Sequence, residues 1–194
     1  MTPREQQAQQ TYEHILQTAE MLLETYSYDT LSVNDICEKA GISKGGFYHH
    51  FSSKDQLLAL LIGRQMERLI HERVAPLLGK KDAITLLNLY LFTGMEYLQN
   101  NPRDTLARCW LALSEHKELT TEPFSKVYFK LLDDIVLQGI KEGCIRKDID
   151  PVFCENFLAA TYSGIFLHTF AYHGEQSFED FAEKAIILIH KIIS

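Results

Sequence analysis

Several features that mark common functional classes are missing from this chain. Its four cysteines, Cys37, Cys109, Cys144 and Cys154, are scattered and form no C-x-x-C pair. That excludes a sequence-evident zinc ribbon or redox pair and suits reduced thiols in a cytoplasmic protein. No run of eighteen apolar residues is present, so no spanning helix is expected. The opening Met1–Gln7 lacks the apolar stretch of a secretory signal. There is no G-x-S-x-G, no H-E-x-x-H and no glycine-rich phosphate loop, and Glu115-His116 and Asp133-Asp134 read as solvated helix faces. Neither an enzyme, a cofactor nor a metal is therefore expected. Strand-like alternation, internal repeats and low-complexity tracts are absent as well.

Basic charge is also scarce. The formal net charge is -7, and residues 1–64 hold five Lys and Arg against eight Asp and Glu. The broad basic stamp of a nucleic-acid binder is missing. Locally the balance reverses: Gly41 to Lys54 carries two lysines, two histidines and no acid. An acidic body with a small basic tip should bind random DNA weakly and rely on base contacts and dimerisation for a chosen site.

What is present centres on Ser32–Lys54. Ser32 followed by Asp35 is a capping-box start, and Val33, Ile36 and Ala40 share one helical face. Gly41 suits the left-handed residue that stops such a helix. Ser43 caps a short second helix from about Lys44 to His50, and Ser53 with Gln56 opens a long third one. Two helices joined by a short turn containing glycine make a helix-turn-helix. The second helix is poorly built for stability, since each of Gly45 and Gly46 costs about 1 kcal/mol relative to alanine. Phe47 and Phe51 can pin its inner face, which leaves Lys44, Gly45, Gly46, Tyr48, His49 and His50 for the outer face and its edges. Glycine lets a backbone approach closely, and lysine, tyrosine and histidine suit phosphates and base edges. Gly46 and His49 lie where sequence could be read, while Tyr48 and Lys54 suit phosphates. Lys54 also sits in a helical first turn, which favours an anion. His50 reads as a packing residue. A metal role for the neighbouring histidines is poor, because adjacent side chains diverge on a helix.

Residues from about Ile15 to Leu61 closely resemble the DNA-binding domain of TetR-family transcriptional regulators. The match rests on Ala19, Thr30-Leu31-Ser32-Val33, Asp35-Ile36, Ala40-Gly41-Ile42-Ser43-Lys44-Gly45, Phe47-Tyr48, His50-Phe51, Lys54 and Leu57, in order and without insertion. Ser27 departs slightly, as a glycine or aromatic often stands there. The resemblance implies that Ser43, Lys44, Gly45, Tyr48, His49 and Lys54 meet DNA, with Thr30 or Ser32 touching a phosphate. It also implies that the long helix after Lys54 links a ligand site to the DNA reader.

Elsewhere the spacing predicts more helices. Residues up to about Ala8 read as frayed, followed by a first helix carrying Ile15, Leu16 and Ala19. Further helices are expected over 82–99, about 103–115, and from Phe124 to a stop at Gly143. Val152–Tyr172 and the last helix, capped by Ser177, are apolar nearly all round and so need covering on every side. A partner subunit would do this through a two-fold four-helix interface, for which Phe157, Thr161, Ile165, His168, Phe181, Ala185, Leu188, Ile189 and Ile192 are the candidates. Phe92, Met95, Trp110, Phe124, Tyr128, Tyr162 and Phe166 could line an effector cavity, though an aromatic stripe at helical spacing also fits plain core.

The expectation is thus an all-α chain of about nine helices. Residues 1–54 form a helix-turn-helix domain, helix 55–78 connects, and 79–194 bind ligand and dimerise through the last two helices. It would act as a ligand-responsive regulator, most simply a repressor, at a palindromic double-stranded DNA operator, with an apolar or aromatic effector and no membrane partner. The alternative is a small-molecule binding protein whose helix-turn-helix no longer reads DNA.

Overall fold

The computed structural model describes residues 2–114 and 123–148, residue 150, and only isolated positions from 152 onward. Within it, seven helices follow one another: α1 Pro3–Leu22, α2 Val33–Ala40, α3 Lys44–His50, α4 Lys54–Val74, α5 Ala83–Gln99, α6 Arg103–Ser114 and α7 Pro123–Glu142. A 3-10 turn at Ala75–Leu77 carries Pro76 just after α4. No strand occurs among the described residues. The two terminal helices expected beyond Val152 fall largely outside the described residues.

The chain divides into two units. One gathers α1 to α3, α4 as far as Gln65, and α6; the other takes α4 from Met66, then α5 and α7. The first unit therefore recruits a helix lying far along the chain.

Local chemistry sets the ends of its helices. The Ser32 hydroxyl accepts from the Asp35 amide at 3.2 Å, while the Asp35 carboxylate accepts from the Ser32 amide at 2.9 Å, a complete capping box. The Ser32 hydroxyl also donates to that carboxylate, and this bond, ahead of the one from the Ser32 amide, holds the Asp35 carboxyl below the usual carboxylate range. Gly41 closes α2 at φ 66°, a left-handed conformation that a side chain would strain. Ser53 accepts from the Gln56 amide at 3.0 Å and opens α4.

The start of α1 corrects the sequence reading. Instead of fraying to Ala8, the helix begins at Pro3 behind a second capping box, with Thr2 accepting from the Glu5 amide and the Glu5 carboxylate accepting from the Thr2 amide. Proline at the first helical position needs no amide partner. Ile15, Leu16, Ala19, Leu31, Ile36, Phe47, Phe51, Leu57, Leu58 and Leu61 are buried in this unit.

The second unit is held by aliphatic packing. Ile70, Val74, Leu86, Leu87, Tyr90, Leu91, Leu132, Ile135 and Val136 form its core. Polar groups pin α7 to the start of α5: the Glu142 carboxylate accepts from the Ala83 amide at 2.8 Å, and the Gln138 amide donates to the Lys81 carbonyl at 2.7 Å. After α7 the chain turns back so tightly that a methyl group on Gly139 would meet Ile145 at 2.6 Å.

Cys37, Cys109 and Cys144 are free thiols. Burial pushes the Cys109 thiol up to about 12, which leaves it unreactive. Cys154 lies outside the described residues.

Candidate nucleic-acid interface

Helix α3 stands on two phenylalanines. Phe47 and Phe51 are fully buried, with ring centroids 5.6 Å apart, and Tyr12 of α1 stacks on Phe51 at 4.9 Å. With its inner face pinned, α3 presents the rest outward. Ser43, Lys44, Gly45, Tyr48 and His49 are exposed, Tyr48 at 54%, and Gly46 is half-buried. The Ser43 hydroxyl accepts from the Gly46 amide at 3.1 Å and caps the helix. His50 turns aside and packs edge-on against Tyr12 at 6.3 Å. Burial, with a smaller contribution from His49, lowers its pKa and favours the neutral ring.

The two glycines are informative because packing does not require them. A methyl group on Gly45 would come no closer than 3.7 Å, and one on Gly46 no closer than 3.6 Å, to other atoms of the chain. Neither glycine has a positive φ. Alanine would fit and would favour the helix. No described residue accounts for the missing methyl groups.

A second layer holds the loop before α2. The Lys54 ammonium donates to the Tyr28 and Leu31 carbonyls, at 2.9 Å each. Thr30, exposed, bonds to Ser27 through its hydroxyl, 2.9 Å from the Ser27 hydroxyl and 3.0 Å from the Ser27 amide. Arg108 of α6 pairs with Asp29 of this loop at 2.7 Å and approaches Asp55 of α4 at 3.8 Å. The Asp29 hydrogen bond is the main reason the Arg108 guanidinium is held above its usual range. Arg64 of α4 forms a two-pronged bridge to Glu13 of α1 at 2.7 and 2.9 Å. That bond chiefly depresses the Glu13 carboxyl, while partial burial opposes the shift. His14 Nε2 lies 3.2 Å from the Ala40 carbonyl at the end of α2.

The structure thus brings Ser43, Lys44, Gly45, Gly46, Tyr48 and His49 together on one short helix and sets Thr30 and Ser32 at the entrance to α2. Lys54 is committed to two backbone carbonyls beneath that entrance. Five of the eight acids that made the first 64 residues look unsuited to DNA are engaged: Glu5 and Asp35 in caps, Glu13 by Arg64, Asp29 and Asp55 by Arg108. Local sequence carries no sign of Arg64 or Arg108, because their partners lie 51 and 79 residues away.

The other expected sites are partly in view. Of the effector candidates, Met95 is buried in the second unit's core and Phe92 is 42% exposed, so α5 does not turn both inward. The side chains of Trp110, Phe124 and Tyr128, and residues Tyr162 and Phe166, lie outside the described residues. Two buried oxygens on α5, Asn88 Oδ1 and Thr93 Oγ1, have no hydrogen-bond partner among the described residues. Of the interface candidates, Phe157 packs partly against the second unit's core, Thr161 is half-buried and Leu188 is 59% exposed. Ile165, His168, Phe181, Ala185, Ile189 and Ile192 lie outside the described residues. No helix among the described residues is long and apolar enough to cross a membrane, and no cluster of His, Cys, Asp or Glu among them is arranged to hold a metal.

Comparison with known proteins points the same way. Residues 15–61 match the family model for bacterial regulatory proteins of the tetR family. The chain is 28% identical over 186 residues to the HTH-type transcriptional regulator YwcC of Bacillus subtilis, covering 89% of this chain and 82% of that protein. It is 26% identical over 164 residues to the HTH-type transcriptional repressor KstR2 of Mycolicibacterium smegmatis, covering 77% and 74%. Among solved structures, RolR in complex with resorcinol superposes with a TM-score of 0.65 at 16% identity, over 97% of this chain and 90% of that one. The matched segment coincides with the capped turn, the pinned short helix and the loop that Lys54 holds, and over it the chain is similar to bacterial regulatory proteins of the tetR family.

Proposed function

We infer that this protein is a ligand-responsive, DNA-binding transcriptional regulator, acting as a homodimer at a palindromic operator, most simply as a repressor. The observation that carries this reading is α3 itself: a helix pinned from below by Phe47 and Phe51, with an outer face of Lys44, Tyr48 and His49 and two glycines that its own packing does not need. Its short, small-sided surface suits the major groove. Lys44 and Tyr48 meet phosphates or a guanine edge, Gly46 and His49 face the bases, and Ser43, Gly45, Thr30 and Ser32 meet the backbone. Lys54 acts one step back, as a positioning residue that holds the Thr30–Ser32 entrance.

Dimerisation places two such helices roughly 34–36 Å apart, or a multiple of that. Val152, Phe153, Ile187 and Leu188 support a partner there, being large apolar side chains at least half exposed in the single chain. The effector is a small apolar or aromatic molecule, for which Asn88 and Thr93 on α5 are the available buried acceptors. It shifts the balance between two shapes only if it binds them unequally. Repression is the sense in which the relative KstR2 is described. A regulator of this kind works in the cytoplasm.

The test is selection of a bound duplex from a randomised pool, followed by titration at several salt concentrations. The wild type should enrich a palindrome and show affinity falling linearly with log salt. Lys44→Ala and Tyr48→Phe should weaken binding without lowering the melting temperature. Recovery of no duplex would favour a small-molecule binder with a silent helix-turn-helix.

A further inference from the structure

Among the described residues, the first turns of α1 bury almost no side chain. From Thr2 to Gln10 every side chain is exposed except Ala8, which is half-buried, and the first buried residue of the helix is Ile15. A helix this polar has no apolar face to dock. Yet it is built with care: the capping box of Thr2 and Glu5 fixes its start, Pro3 occupies the first position, and Gln9 bonds Glu13 one turn on at 3.2 Å. Residues 3–11 extend about 13 Å at 1.5 Å per residue.

One face of this arm is lined with amides. Gln6, Gln9, Gln10 and Gln17 border a shallow open depression with Glu13 and His14. The acids nearby are engaged, Glu13 by Arg64 and Glu5 by its own cap. The arm leaves the body at the edge of the helix-turn-helix. His14 lies against the Ala40 carbonyl, where α2 gives way to the turn leading to Ser43, and Tyr12 packs on Phe51 and His50, where α3 ends.

We propose that the first three turns of α1 form a second DNA-contacting element, which lays Gln6, Gln9 and Gln10 against the duplex flanking the site read by α3. The inference rests on the DNA-reading function of α3. A second copy of the chain is a poor occupant, since helix pairing needs an apolar seam and this arm offers only Ala8. Glutamine amides suit DNA because they donate to phosphate oxygens and can both donate to and accept from base edges. Because they are neutral, they add affinity without releasing counterions, and Arg4 is the sole cation of the arm.

The test uses the full chain and a duplex it selects from a random pool, prepared with long flanks and trimmed to the core site. The triple substitution of Gln6, Gln9 and Gln10 by alanine keeps or improves helix propensity, so the arm stays folded. On the long duplex it should bind about five- to tenfold more weakly, as expected for a few lost hydrogen bonds. On the trimmed duplex it should match the wild type, and its salt slope should not change. Arg4→Ala should flatten the slope by about 0.9 per phosphate released. Deletion of residues 3–10 should weaken binding to the long duplex at least as much as the triple variant and flatten the salt slope as Arg4→Ala does, while leaving the dimer mass intact by light scattering. Equal affinity of wild type and triple variant on the long duplex overturns the proposal while leaving α3 as reader. A change in dimer mass with unchanged DNA affinity also overturns it, in favour of a protein contact. If the full chain selects no duplex at all, both readings fall together.

Discussion

The two units are held together by different means. In the second, α5 and α7 interlock through Leu86, Leu87, Ile135 and Val136, all fully buried, and polar groups only trim the ends. In the first, the burial is real but short helices limit it, and a polar frame decides where each loop sits: two capping boxes, the Lys54 bonds to Tyr28 and Leu31, and the Arg64 and Arg108 bridges. Close-packed aliphatic cores resist small displacements. Hydrogen-bonded loops on short helices open more readily. The unit that must fit a duplex is the one whose geometry rests on individual polar contacts.

The strongest test of this contrast removes one anchor from each side. Phe47→Ala should cost about 3–5 kcal/mol, in the usual range for a buried phenylalanine. Hydrogen exchange should show amides of α2 and α3 opening while α5 and α7 stay protected. Ile135→Ala should cost about 2–5 kcal/mol and raise exchange across α5 and α7 instead. Uniform loss of protection in both variants would show that the units unfold as one.

Lys54 gives the next largest effect. Lys54→Met removes a cation that donates to two carbonyls, worth about 1.5–3 kcal/mol for hydrogen bonds to a charged group and less here because the site is only partly buried. The melting temperature should fall and the salt slope of operator binding should hold. A phosphate-contacting lysine would do the reverse, leaving stability intact and reducing the slope by about 0.9.

The glycines of α3 should respond with opposite signs. Gly45→Ala and Gly46→Ala should each stabilise the fold by about 0.5–1 kcal/mol, since alanine favours a helix and nothing obstructs the methyl group. Operator binding should nevertheless weaken by about tenfold, the equivalent of one lost close contact near 1.4 kcal/mol. A variant that gains stability and keeps full affinity would leave the glycines unexplained.

Acid provides the smallest test. Glu13 titrates below its ordinary 4.5, so its contribution is complete above that value and fades as pH falls through the depressed one. His50 titrates below its ordinary 6.5, so the folded form binds its proton less readily than the unfolded chain and stability begins to fall below about pH 6.5. A His50→Phe variant should flatten the melting temperature between pH 7 and pH 5.5 relative to wild type. An unchanged slope would mean that His50 is more hydrated than its packing implies.

Much of the reader was legible because its signals are local. Ser32 with Asp35, Gly41 and Ser43 state their roles within four residues, and the spacing of Phe47 and Phe51 marks the buried face of α3. The start of α1 carried a signal of the same kind, Thr2-Pro3-Arg4-Glu5, but the lack of apolar residues around it suggested fraying. Lys54 was placed by its position in a helical first turn; its actual partners, 23 and 26 residues earlier, depend on tertiary geometry. Arg64 and Arg108 could not be found at all, because an ion pair between distant segments leaves no periodicity.

Arg108 has a genetic consequence. The helix that carries it is encoded after α5, so the bridge to Asp29 and Asp55 is supplied by a stretch of gene some fifty codons past α4's beginning. No cut made before α6 yields the reader with its own countercharge. A recombinant that joined residues 1–65 to a foreign body would inherit two carboxylates without the arginine they share. Swapping specificity between such proteins by exchanging front halves should therefore succeed only when the guest brings, or the host already holds, a cation at that position.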